Sequence, residues 1–493
     1  MRPLTSANKK LSECAGFLGI ELSNAELVTG ICSNSRQVQP GDIFAALPGE
    51  KFHGASFASE AISKGAIAIF TDNDGAALLR KSATHVPLLV IENPRKLLGP
   101  FSSFLYGEPS KSMKVIGVTG TNGKTTTTHL LFQIFRGAGL HAGLIGTVGN
   151  QIDDEKFEAI HTTPEADELQ RLLALMRDRG VEFVAMEVSS HALAQFRADG
   201  VTFETVGFTN LTQDHLDFHQ TMANYFQAKS RLFAHEFSNQ GSVVIDDSYG
   251  MKLKENATLK ISSVSVSKNT ADWYFQEAIP TKSGYQVLIS GPSGIKLNGA
   301  LNLVGAHNLE NVLLAISLAH QAGIDIKNIE AALPKLTGAP GRLERIERGQ
   351  DFIALVDYAH TPDAVNRILK SVRQLTNGKV IAVLGCGGDR DKSKRPLMGA
   401  ALIEGADIPI FTSDNPRSES PMKIIEEMTS GLTMPADGRV IIDRRAAIKE
   451  AVQCALDGDL LIVLGKGHET GQEIDGKKYP FDDRLILGEL LDS

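Results

Sequence analysis

Short apolar runs alternate with amphipathic stretches from about Met113 onward. A short continuous apolar run is typical of a buried strand, whereas apolar positions spaced three and four apart are typical of a helix. The pattern predicts strands over Lys114–Val118, Val181–Val188, Thr205–Thr209 and Val243–Ile245, and helices over Lys124–Phe135 and Leu169–Arg177. Strands and helices that alternate at a spacing of roughly 30 residues predict a mostly parallel, doubly wound sheet.

The same alternation restarts near Phe352 and predicts a second α/β unit. Its strands are expected over Phe352–Val356, Val380–Leu384, Ile408–Phe411 and Leu460–Leu464, with helices such as Ala364–Leu375 and Arg445–Leu456 between them. Residues 338–341 contain two glycines and a proline, which indicates a linker between the two units. Gly107 and Pro109 end a separate mixed block, so we predict three domains: 1–107, 108–337 and 338–493.

Composition places the chain among ordinary globular proteins. Of its 493 residues, 42% are hydrophobic and 22% are charged, which excludes wholesale disorder. The 50 Lys and Arg residues against 58 Asp and Glu residues leave a net charge of -8, so we expect no binding to nucleic acid. The 4 scattered cysteines form no CxxC pair, which indicates reduced thiols and a cytoplasmic protein. We expect no membrane insertion, because no apolar run approaches the ~20 residues of a membrane span and no signal-peptide core is present.

A glycine-rich segment joins the first predicted strand of the central domain to its helix. It reads GVTGTNGKTT over residues 117–126, and small residues at a helix N-terminus let backbone N–H groups approach phosphate oxygens. Lys124 would reach the β- and γ-phosphates of ATP or GTP, and the Thr125 hydroxyl would join the shell of Mg²⁺. Val118 stands where the strict pattern has glycine, so a tight turn with a solvated lysine is the alternative. The expected nucleotide ligands are Gly120, Thr121, Asn122, Gly123, Lys124, Thr125 and Thr126.

Candidate metal ligands follow the next predicted strands. Glu187 ends a strand and suits Mg²⁺, with a solvated carboxylate as the equal alternative. His215 and His219 lie four residues apart, which on a helix places both on one face. No third nitrogen or sulfur ligand has suitable spacing, so the oxygen-rich surroundings favour Mg²⁺ over zinc. Lys229 falls on a predicted helix, where composition alone favours a surface lysine whose stem covers apolar residues.

A series of ordered motifs resembles one enzyme family. The motifs are GTNGKTT, EVSSHALAQFR, TNLTQDHLDFH, YFQAKSRLF, DYAHTP, GCGGDRDK, SDNPR and GKGHE. Over essentially its whole length the chain resembles the ATP-dependent Mur ligases of peptidoglycan precursor synthesis. The resemblance implies three α/β domains: a smaller UDP-binding domain, a central P-loop ATPase-type domain with a mostly parallel sheet, and a C-terminal Rossmann-like domain that binds an amino acid.

The resemblance also implies a reaction. ATP would phosphorylate the free side-chain carboxyl of D-glutamate in UDP-MurNAc-L-Ala-D-Glu, and the amine of meso-diaminopimelate would attack the resulting acyl phosphate. The catalytic residues would be Lys124, Glu187, His215 and Lys229. Mg²⁺ would be held by Thr125, Glu187, His215 and Lys229, the lysine being modified to a carbamate (N6-carboxylysine). A monomer is expected.

The resemblance assigns substrate ligands residue by residue. Those for the UDP-sugar-peptide are Ser33, Ser35, His53, Gly54, Ala55, His161, Thr162, Thr163, Ser189, Gln195 and Arg197. Two positions depart from the family pattern: His161 stands where asparagine is frequent, and Asn34 replaces the aspartate of a DSR core. On the adenine side, the matching residues are His307, Asn308 and Asn311, and Arg342 would reach the phosphates when the domains close.

The amino-acid pocket separates diaminopimelate from lysine. Its matching residues are Arg395, Asp414, Asn415, Pro416, Arg417, Gly465 and Glu469. Diaminopimelate carries a distal carboxylate that lysine lacks, and a planar guanidinium such as that of Arg417 clamps a carboxylate with two hydrogen bonds. Glu469 suits an ammonium group. A surface ion pair is the alternative for Arg417.

Three other functions compete with this hypothesis. They are a lysine-adding relative, a folate polyglutamate ligase of similar architecture, and a nucleotide-binding regulator without ligase chemistry. Arg417 disfavours the first, and the uridine-type first domain disfavours the second. The intact metal-site residues disfavour the third.

Overall fold

A computed structural model of the chain describes residues 3, 7–49, 51–81, 85–281 and 284–492. The chain forms two compact units. The first comprises Met1–Gln276, Leu288–Asn298 and Glu310–Leu333, and the second comprises Glu277–Val287, Gly299–Leu309 and Pro334–Ser493. The predicted α/β fold class is confirmed by the sheets described below. The division into three domains at residues 107 and 337 stays a prediction.

The first unit opens with a small parallel sheet. Its strands, in spatial order, are Gly30–Cys32, Asp42–Ala46, Ala68–Thr71 and Leu88–Val90. The neighbouring helices are Leu11–Phe17, Ala58–Ser63, Asn73–Lys81 and Pro94–Leu105, and an antiparallel pair joins Lys9–Lys10 to Leu27–Val28. In the core the rings of Phe70 and Phe101 stack with centroids 5.5 Å apart. Every residue of Asp42–Ala46 is buried, as expected of a parallel strand covered on both faces.

A larger sheet of eleven strands, counted over the described residues, follows. In spatial order its strands are Glu155–Phe157, Gly149–Ile152, Ala142–Gly146, Phe183–Glu187, Lys114–Thr119, Thr205–Phe208, Gln240–Val244, Lys260–Ser265, Trp273–Thr281, Gly284–Ser290 and Lys296–Leu301. The helices of this region are Lys124–Gly137, Ala166–Asp178, Ser190–Ala194, Leu216–His219, Met222–Ser230, Ser248–Asn256, Ala306–Gln321 and Ile326–Ala332. The strands from Ala142–Gly146 to Lys260–Ser265 pair in parallel, which confirms the predicted doubly wound pattern.

The second unit contains a mostly parallel sheet of its own. In spatial order its strands are Glu344–Arg345, Ile353–Asp357, Leu460–Leu464, Val380–Cys386, Ile408–Ser413 and Arg439–Val440. Its helices are Pro362–Arg373, Lys394–Gly405, Pro421–Thr429, Arg444–Cys454 and Asp483–Leu491, and a hairpin pairs Gly471–Ile474 with Lys477–Pro480. The strands and helices predicted here are all present, with ends that differ by a few residues.

Strand register in the larger sheet decides where the polar loops meet. Lys114–Thr119 lies between two parallel neighbours, with Glu187 opposite Val118 and Phe208 opposite Thr119. All three strands therefore end at the same edge of the sheet. Ligands of open α/β sheets bind outside the carboxyl ends of the strands, and the candidate site lies there.

The cysteines are free thiols, as predicted from their spacing. Burial raises the pKa of Cys14 to about 11 and that of Cys386 to about 12, so both thiols stay protonated and unreactive near neutral pH. Among the helices that the structure describes, none is long and apolar enough to cross a membrane.

A fully buried ion pair organises the second unit. Arg444 Nε donates to Asp483 Oδ1 at 2.8 Å and Arg444 Nη2 donates to Oδ2 at 2.6 Å. The same guanidinium donates to the carbonyls of Leu464 and Ser413, at 2.9 and 3.2 Å. Both carbonyls end strands of the sheet, so the ion pair holds the strand ends from which two candidate binding loops start.

Replacement of Asp483 should test this contribution. Asp483→Ala leaves Arg444 buried without its counter-ion, so we expect a loss of about 3–5 kcal/mol in the free energy of unfolding. Thermal unfolding followed by circular dichroism measures the change. Arg445→Ala is the matched control, because Arg445 pairs with Glu489 on the same two helices at exposed positions, where an ion pair contributes at most about 1 kcal/mol. Equal melting temperatures for the two variants would contradict a stabilising role for the Arg444–Asp483 pair.

Candidate active site

The glycine-rich loop connects strand Lys114–Thr119 to helix Lys124–Gly137. Gly120 has a φ of +146°, and a Cβ there would lie 1.8 Å from Thr209 Oγ1, so only glycine fits. The loop is tied to the end of the neighbouring strand: Thr209 Oγ1 donates to the Asn122 carbonyl at 2.6 Å, and Asn122 N donates to Asn210 Oδ1 at 3.0 Å. The loop that the sequence predicted is therefore a pre-formed turn that opens a helix.

Lys124 folds back onto this loop. Its Nζ donates to the carbonyls of Gly120 and Thr121, at 2.9 and 2.8 Å. The alternative was a tight turn with a solvated lysine. The turn is present, but the lysine ammonium group is hydrogen-bonded within the loop. A phosphate at the helix N-terminus would lie beside a positive charge that is already in place.

Glu187 lies beside the loop and is fully buried. Its Oε2 accepts from the Thr125 hydroxyl at 2.9 Å and from the Thr147 hydroxyl at 3.2 Å, and its Oε1 accepts from Thr147 N at 2.8 Å. The solvated-carboxylate alternative is therefore wrong. Thr147 was not predicted from the sequence, although its position directly after strand Ala142–Gly146 was an available signal.

Lys229 is buried on helix Met222–Ser230, with an exposed fraction of 1%. Its Nζ donates to the Gly120 carbonyl at 2.6 Å and lies 4.6 Å from the centroid of the Tyr225 ring. Burial first, and then the charge of Lys124, hold the pKa of Lys229 well below its usual range, against an opposing effect of Asp214. The surface-lysine interpretation is wrong, and the environment favours a neutral amine.

The histidines do not share a helical face. His215 has a φ of +52° and directly precedes the short helix Leu216–His219, so the helix that would place both histidines on one face does not include His215. The rings of both nevertheless pack against His191, with centroids 4.7 Å apart for His215 and 5.5 Å apart for His219, and His219 Nε2 lies 3.0 Å from Ser190 Oγ. Within the part of the chain that the structure describes, no three His, Cys, Asp or Glu side chains are grouped to hold a metal.

Several predicted substrate ligands lie around the backbone of Glu187. Thr163 Oγ1 donates to the Glu187 carbonyl at 2.9 Å and accepts from Ser189 N at 3.1 Å. Arg197 Nη1 donates to the Thr163 carbonyl at 3.4 Å, and Arg197 also pairs with Glu165 at 2.9 Å. The structure brings Thr163, Ser189 and Arg197 together beside Glu187.

Three further residues of this group differ in their surroundings. Thr162 Oγ1 lies 3.0 Å from Thr147 Oγ1, within the Glu187 network. Gln195 Oε1 is buried without a hydrogen-bond partner among the described residues, which makes it available to a ligand. His161 is exposed.

The predicted uridine-side residues lie on the small sheet. Ser33 N and Oγ both donate to Asp167, at 2.9 and 2.9 Å, and Ser35 Oγ donates to Glu60 at 2.6 Å. Asp167 was not predicted from the sequence, since a buried aspartate on the helix Ala166–Asp178 has no motif of its own.

The next turn holds His53, Gly54 and Ala55. His53 Nδ1 accepts from Ala55 N at 3.0 Å, and its Nε2 lies 2.9 Å from Asp72 Oδ1, which fixes the ring. A Cβ on Gly54 would lie 2.8 Å from Leu47 N. The turn thus packs closely against the end of strand Asp42–Ala46.

The adenine-side residues are divided between the two units. Asn311 belongs to the first unit, where a Cβ on Gly123 would lie 2.3 Å from its Oδ1. His307, Asn308 and Arg342 belong to the second unit. There Asn308 Nδ2 donates to the Val304 carbonyl at 2.8 Å, and burial lowers the pKa of His307 to about 4.

The amino-acid residues all lie in the second unit, at the carboxyl edge of its sheet. Asn415 Nδ2 donates to Glu469 Oε2 at 2.8 Å. A Cβ on Gly465 would lie 2.8 Å from Asp414 Oδ2. Burial raises the pKa of Asp414, against the charges of Arg444 and Lys466. The predicted loops at 414–417 and 465–469 therefore meet.

The two arginines of the pocket differ. Arg417 Nη1 donates to the Gly388 carbonyl at 2.6 Å, and its Nε lies 3.2 Å from Glu473 Oε2. Arg395 is buried and donates to Glu419, Glu427 and the Gly387 carbonyl. Arg395 therefore holds the loop at Gly387. Arg417 forms the ion pair that was predicted as the alternative, and its side chain is partly exposed.

The fold and the site together define an α/β protein with a glycine-rich strand-to-helix loop and a buried carboxylate at the edge of a parallel sheet. Three family models match the chain. They are described as Mur ligase family, catalytic domain (residues 27–106), Mur ligase middle domain (residues 118–319) and Mur ligase, glutamate ligase domain (residues 341–467).

Individual relatives match over nearly the full length. The UDP-N-acetylmuramoyl-L-alanyl-D-glutamate--2,6-diaminopimelate ligase of Streptomyces coelicolor is 45% identical, over 99% of this chain and 98% of its own. A solved structure of an enzyme of that name has a TM-score of 0.72 at 33% identity, covering 98% of this chain and 99% of the other. The folylpolyglutamate synthase of Mycobacterium tuberculosis shares the fold alone, with a TM-score of 0.60 at 17% identity over 74% of this chain and 91% of its own. The chain belongs to the Mur ligase family.

The electrostatic link between Lys124 and Lys229 is testable. Lys124→Gln removes a neighbouring positive charge, so the pKa of Lys229 should rise, because a like charge disfavours the ammonium form. An NMR titration of lysine labelled at Cε measures it. Lys114→Gln, at the far end of the strand that leads into the loop, is the control and should leave the titration unchanged. A pKa of Lys229 that is the same in both variants would refute the link.

Proposed function

We propose that this protein is an ATP-dependent ligase that joins meso-diaminopimelate to the D-glutamate of UDP-MurNAc-L-Ala-D-Glu in peptidoglycan precursor synthesis. The observation that carries the proposal is the 45% identity to a diaminopimelate ligase over 99% of the chain. The pocket of the second unit agrees with it, because Arg417 and Glu469 offer a cation for a carboxylate and an anion for an ammonium.

Activation of a carboxylate explains the phosphate loop. A carboxylate is a poor electrophile, so transfer of the γ-phosphoryl group of ATP to the glutamate side chain makes an acyl phosphate with a good leaving group. The amine of diaminopimelate attacks the carbonyl carbon of this acyl phosphate, and phosphate departs as the amide forms. The helix N-terminus and Lys124 supply positive charge next to the phosphoryl group during its transfer, and such charge stabilises the transition state of phosphoryl transfer.

The residues beside the loop fit Mg²⁺. This ion prefers oxygen ligands and is bound by one or two carboxylates together with substrate phosphates. Glu187 offers a buried carboxylate and Thr125 a hydroxyl 2.9 Å from it. Glu187, Thr125, His215 and a carbamate on Lys229 are the proposed holders. The ion would neutralise charge on the phosphates during transfer.

Carbamate formation follows from the burial of Lys229. Its environment favours the neutral amine, whose lone pair attacks CO₂ to form an N–C bond with loss of one proton. The product is an anion, and because burial disfavours a lone anion as well as a lone cation, the positive charge of Mg²⁺ would have to balance it. A basic residue thereby becomes a metal ligand.

The UDP-sugar-peptide and diaminopimelate would be bound by separate sets of residues. Thr162, Thr163, Ser189, Gln195 and Arg197 would hold the sugar-peptide beside Glu187, with the uridine on the small sheet. For diaminopimelate, Arg417 would bind the distal carboxylate and Glu469 an ammonium.

Phosphate release from ATP and Mg²⁺ with UDP-MurNAc-L-Ala-D-Glu tests the proposal directly. Release with meso-diaminopimelate but not with L-lysine, together with a product of matching mass, is the expected result. Release with lysine instead would keep the ligase and refute the assigned specificity. No phosphate release with either amino acid would favour a regulator that binds nucleotide without ligase chemistry.

Loss of Lys229 should abolish turnover. Lys229→Ala removes the proposed carbamate, so we expect kcat to fall by more than about 100-fold. Short carboxylic acids that enter the vacated space should restore part of the activity, and this rescue should not depend on whether chloride is present. Lys252→Ala is the control, because Lys252 is exposed and its Nζ lies over the ring of Phe226, a residue of the helix that carries Lys229. A Lys229→Ala variant as active as the control would exclude the carbamate role.

Arg417 should act on diaminopimelate alone. Loss of a buried arginine–carboxylate contact costs about 2–5 kcal/mol, so Arg417→Ala should raise KM for diaminopimelate on the order of 10²–10³-fold and leave KM for ATP nearly unchanged. Glu473→Gln is the control, since it removes only the ion pair with Arg417 and should not raise KM for diaminopimelate. Equal increases in both KM values for Arg417→Ala would count against the clamp.

A further inference from the structure

Lys466 is a fully buried lysine that has no role in the reaction described above. It lies just beyond strand Leu460–Leu464, between Gly465 and Gly467, whose φ values are +110° and +52°. Lysine is almost never fully buried unless its ammonium group is paired. The partners of Lys466 therefore indicate what it does.

Both partners belong to the amino-acid pocket. Lys466 Nζ donates to Asn415 Oδ1 at 3.0 Å and to Glu469 Oε2 at 3.0 Å. Asn415 Nδ2 donates to the same Glu469 oxygen at 2.8 Å, and its Oδ1 also accepts from Glu473 N at 3.0 Å. Because an ammonium group only donates, Lys466 orients the amide of Asn415 with its oxygen toward the lysine and its NH₂ toward Glu469.

The two oxygens of the Glu469 carboxylate are in different situations. The side-chain hydrogen bonds from Lys466 and Asn415 both fall on Oε2, and across the described ranges none falls on Oε1. The side chain is 34% exposed, whereas that of Lys466 is 0% exposed. Oε2 is thus the anchored oxygen, and Oε1 is the one left for a ligand.

We propose that Lys466 is a positioning residue, which holds the Glu469 carboxylate and the Asn415 amide in one arrangement so that a single carboxylate oxygen meets an ammonium group of the incoming amino acid. This inference rests on the proposed function, because that function supplies the diamino acid. Lys466 acts through Glu469 and Asn415, because its ammonium group is hydrogen-bonded to both.

The charge of Lys466 also affects the titration of Glu469. Burial raises the pKa of Glu469, but the charge of Lys466 and hydrogen bonds from Asn415 and Lys466 together lower it by more, so the pKa lies below its usual value. The other titratable groups facing Glu469 are His468, Asp414, Arg444 and Tyr358. Without Lys466 the pKa of Glu469 rises, and acidification then neutralises this carboxylate at a higher pH than in the wild type.

The test compares Lys466→Met with the wild type in diaminopimelate-dependent phosphate release. We expect KM for diaminopimelate to rise about 10–100-fold, by analogy with the loss of residues that orient metal ligands, with KM for ATP unchanged. The acid limb of the pH profile of kcat/KM for diaminopimelate should move to higher pH. Lys477→Met, on the exposed strand Lys477–Pro480, is the control and should match the wild type. An unchanged KM and pH profile in Lys466→Met would overturn the proposal.

A double variant separates positioning from a merely structural role. If Lys466 acts through Glu469, Lys466→Met should weaken binding of diaminopimelate less in a Glu469→Gln background than in the wild type, because only the contact with Asn415 is then left to lose. Independent, additive losses would overturn the proposal.

A measurement on the wild type keeps the test decisive if Lys466→Met does not fold. A ¹³C NMR titration of the Glu469 carboxylate, assigned with Glu469→Gln, should give a pKa below the usual glutamate value, and an ordinary or higher value would overturn the proposal. A wild type that folds but releases no phosphate with diaminopimelate would refute the proposed function, while the titration would still report on the Lys466–Glu469 contact.

Discussion

The parallel register of neighbouring strands is the constraint on which the site of the first unit depends. Glu187 stands opposite Val118 in this register, one residue before the end of strand Lys114–Thr119. The carboxylate therefore reaches the start of the next helix, where the Thr125 hydroxyl donates to it at 2.9 Å. A slip by one residue would turn Glu187 to the other face of the sheet and break this contact. The phosphate loop, the buried carboxylate and the residues that follow them are near one another because the register aligns the strand ends.

Two buried lysines show how environment divides the roles of one residue type. Lys229 has a backbone carbonyl and the face of an aromatic ring beside it, and burial lowers its pKa. Lys466 has the carboxylate of Glu469 at 3.0 Å. A buried amine without a counter-ion is suited to react with CO₂, whereas one paired with a carboxylate is suited to hold a charge in place. The proposed mechanism uses the first property, and the inference about Lys466 uses the second.

Local signals predicted most of the fold. The strand Leu460–Leu464 has the predicted ends, whereas Phe183–Glu187 is three residues shorter than predicted, without Val181, Glu182 and Val188. Continuous apolar runs between helices are enough to identify buried parallel strands. The helix at Lys124 was also predictable, since a glycine-rich turn after a strand leaves few alternatives. His215 was not, because its φ of +52° depends on the packing of the loop around it.

Residues close together in the chain were enough to predict the alternation of strands and helices and the glycine-rich turn that opens the helix at Lys124. The burial of Lys229 and Lys466, and the hydrogen bonds from Thr147 to Glu187, became visible only in the folded chain. Burial and pairing join residues far apart in sequence, and spacing along the chain carries no information on which polar groups lose water. For the same reason Asp167, which anchors Ser33 from 134 positions away, carried no recognisable signal.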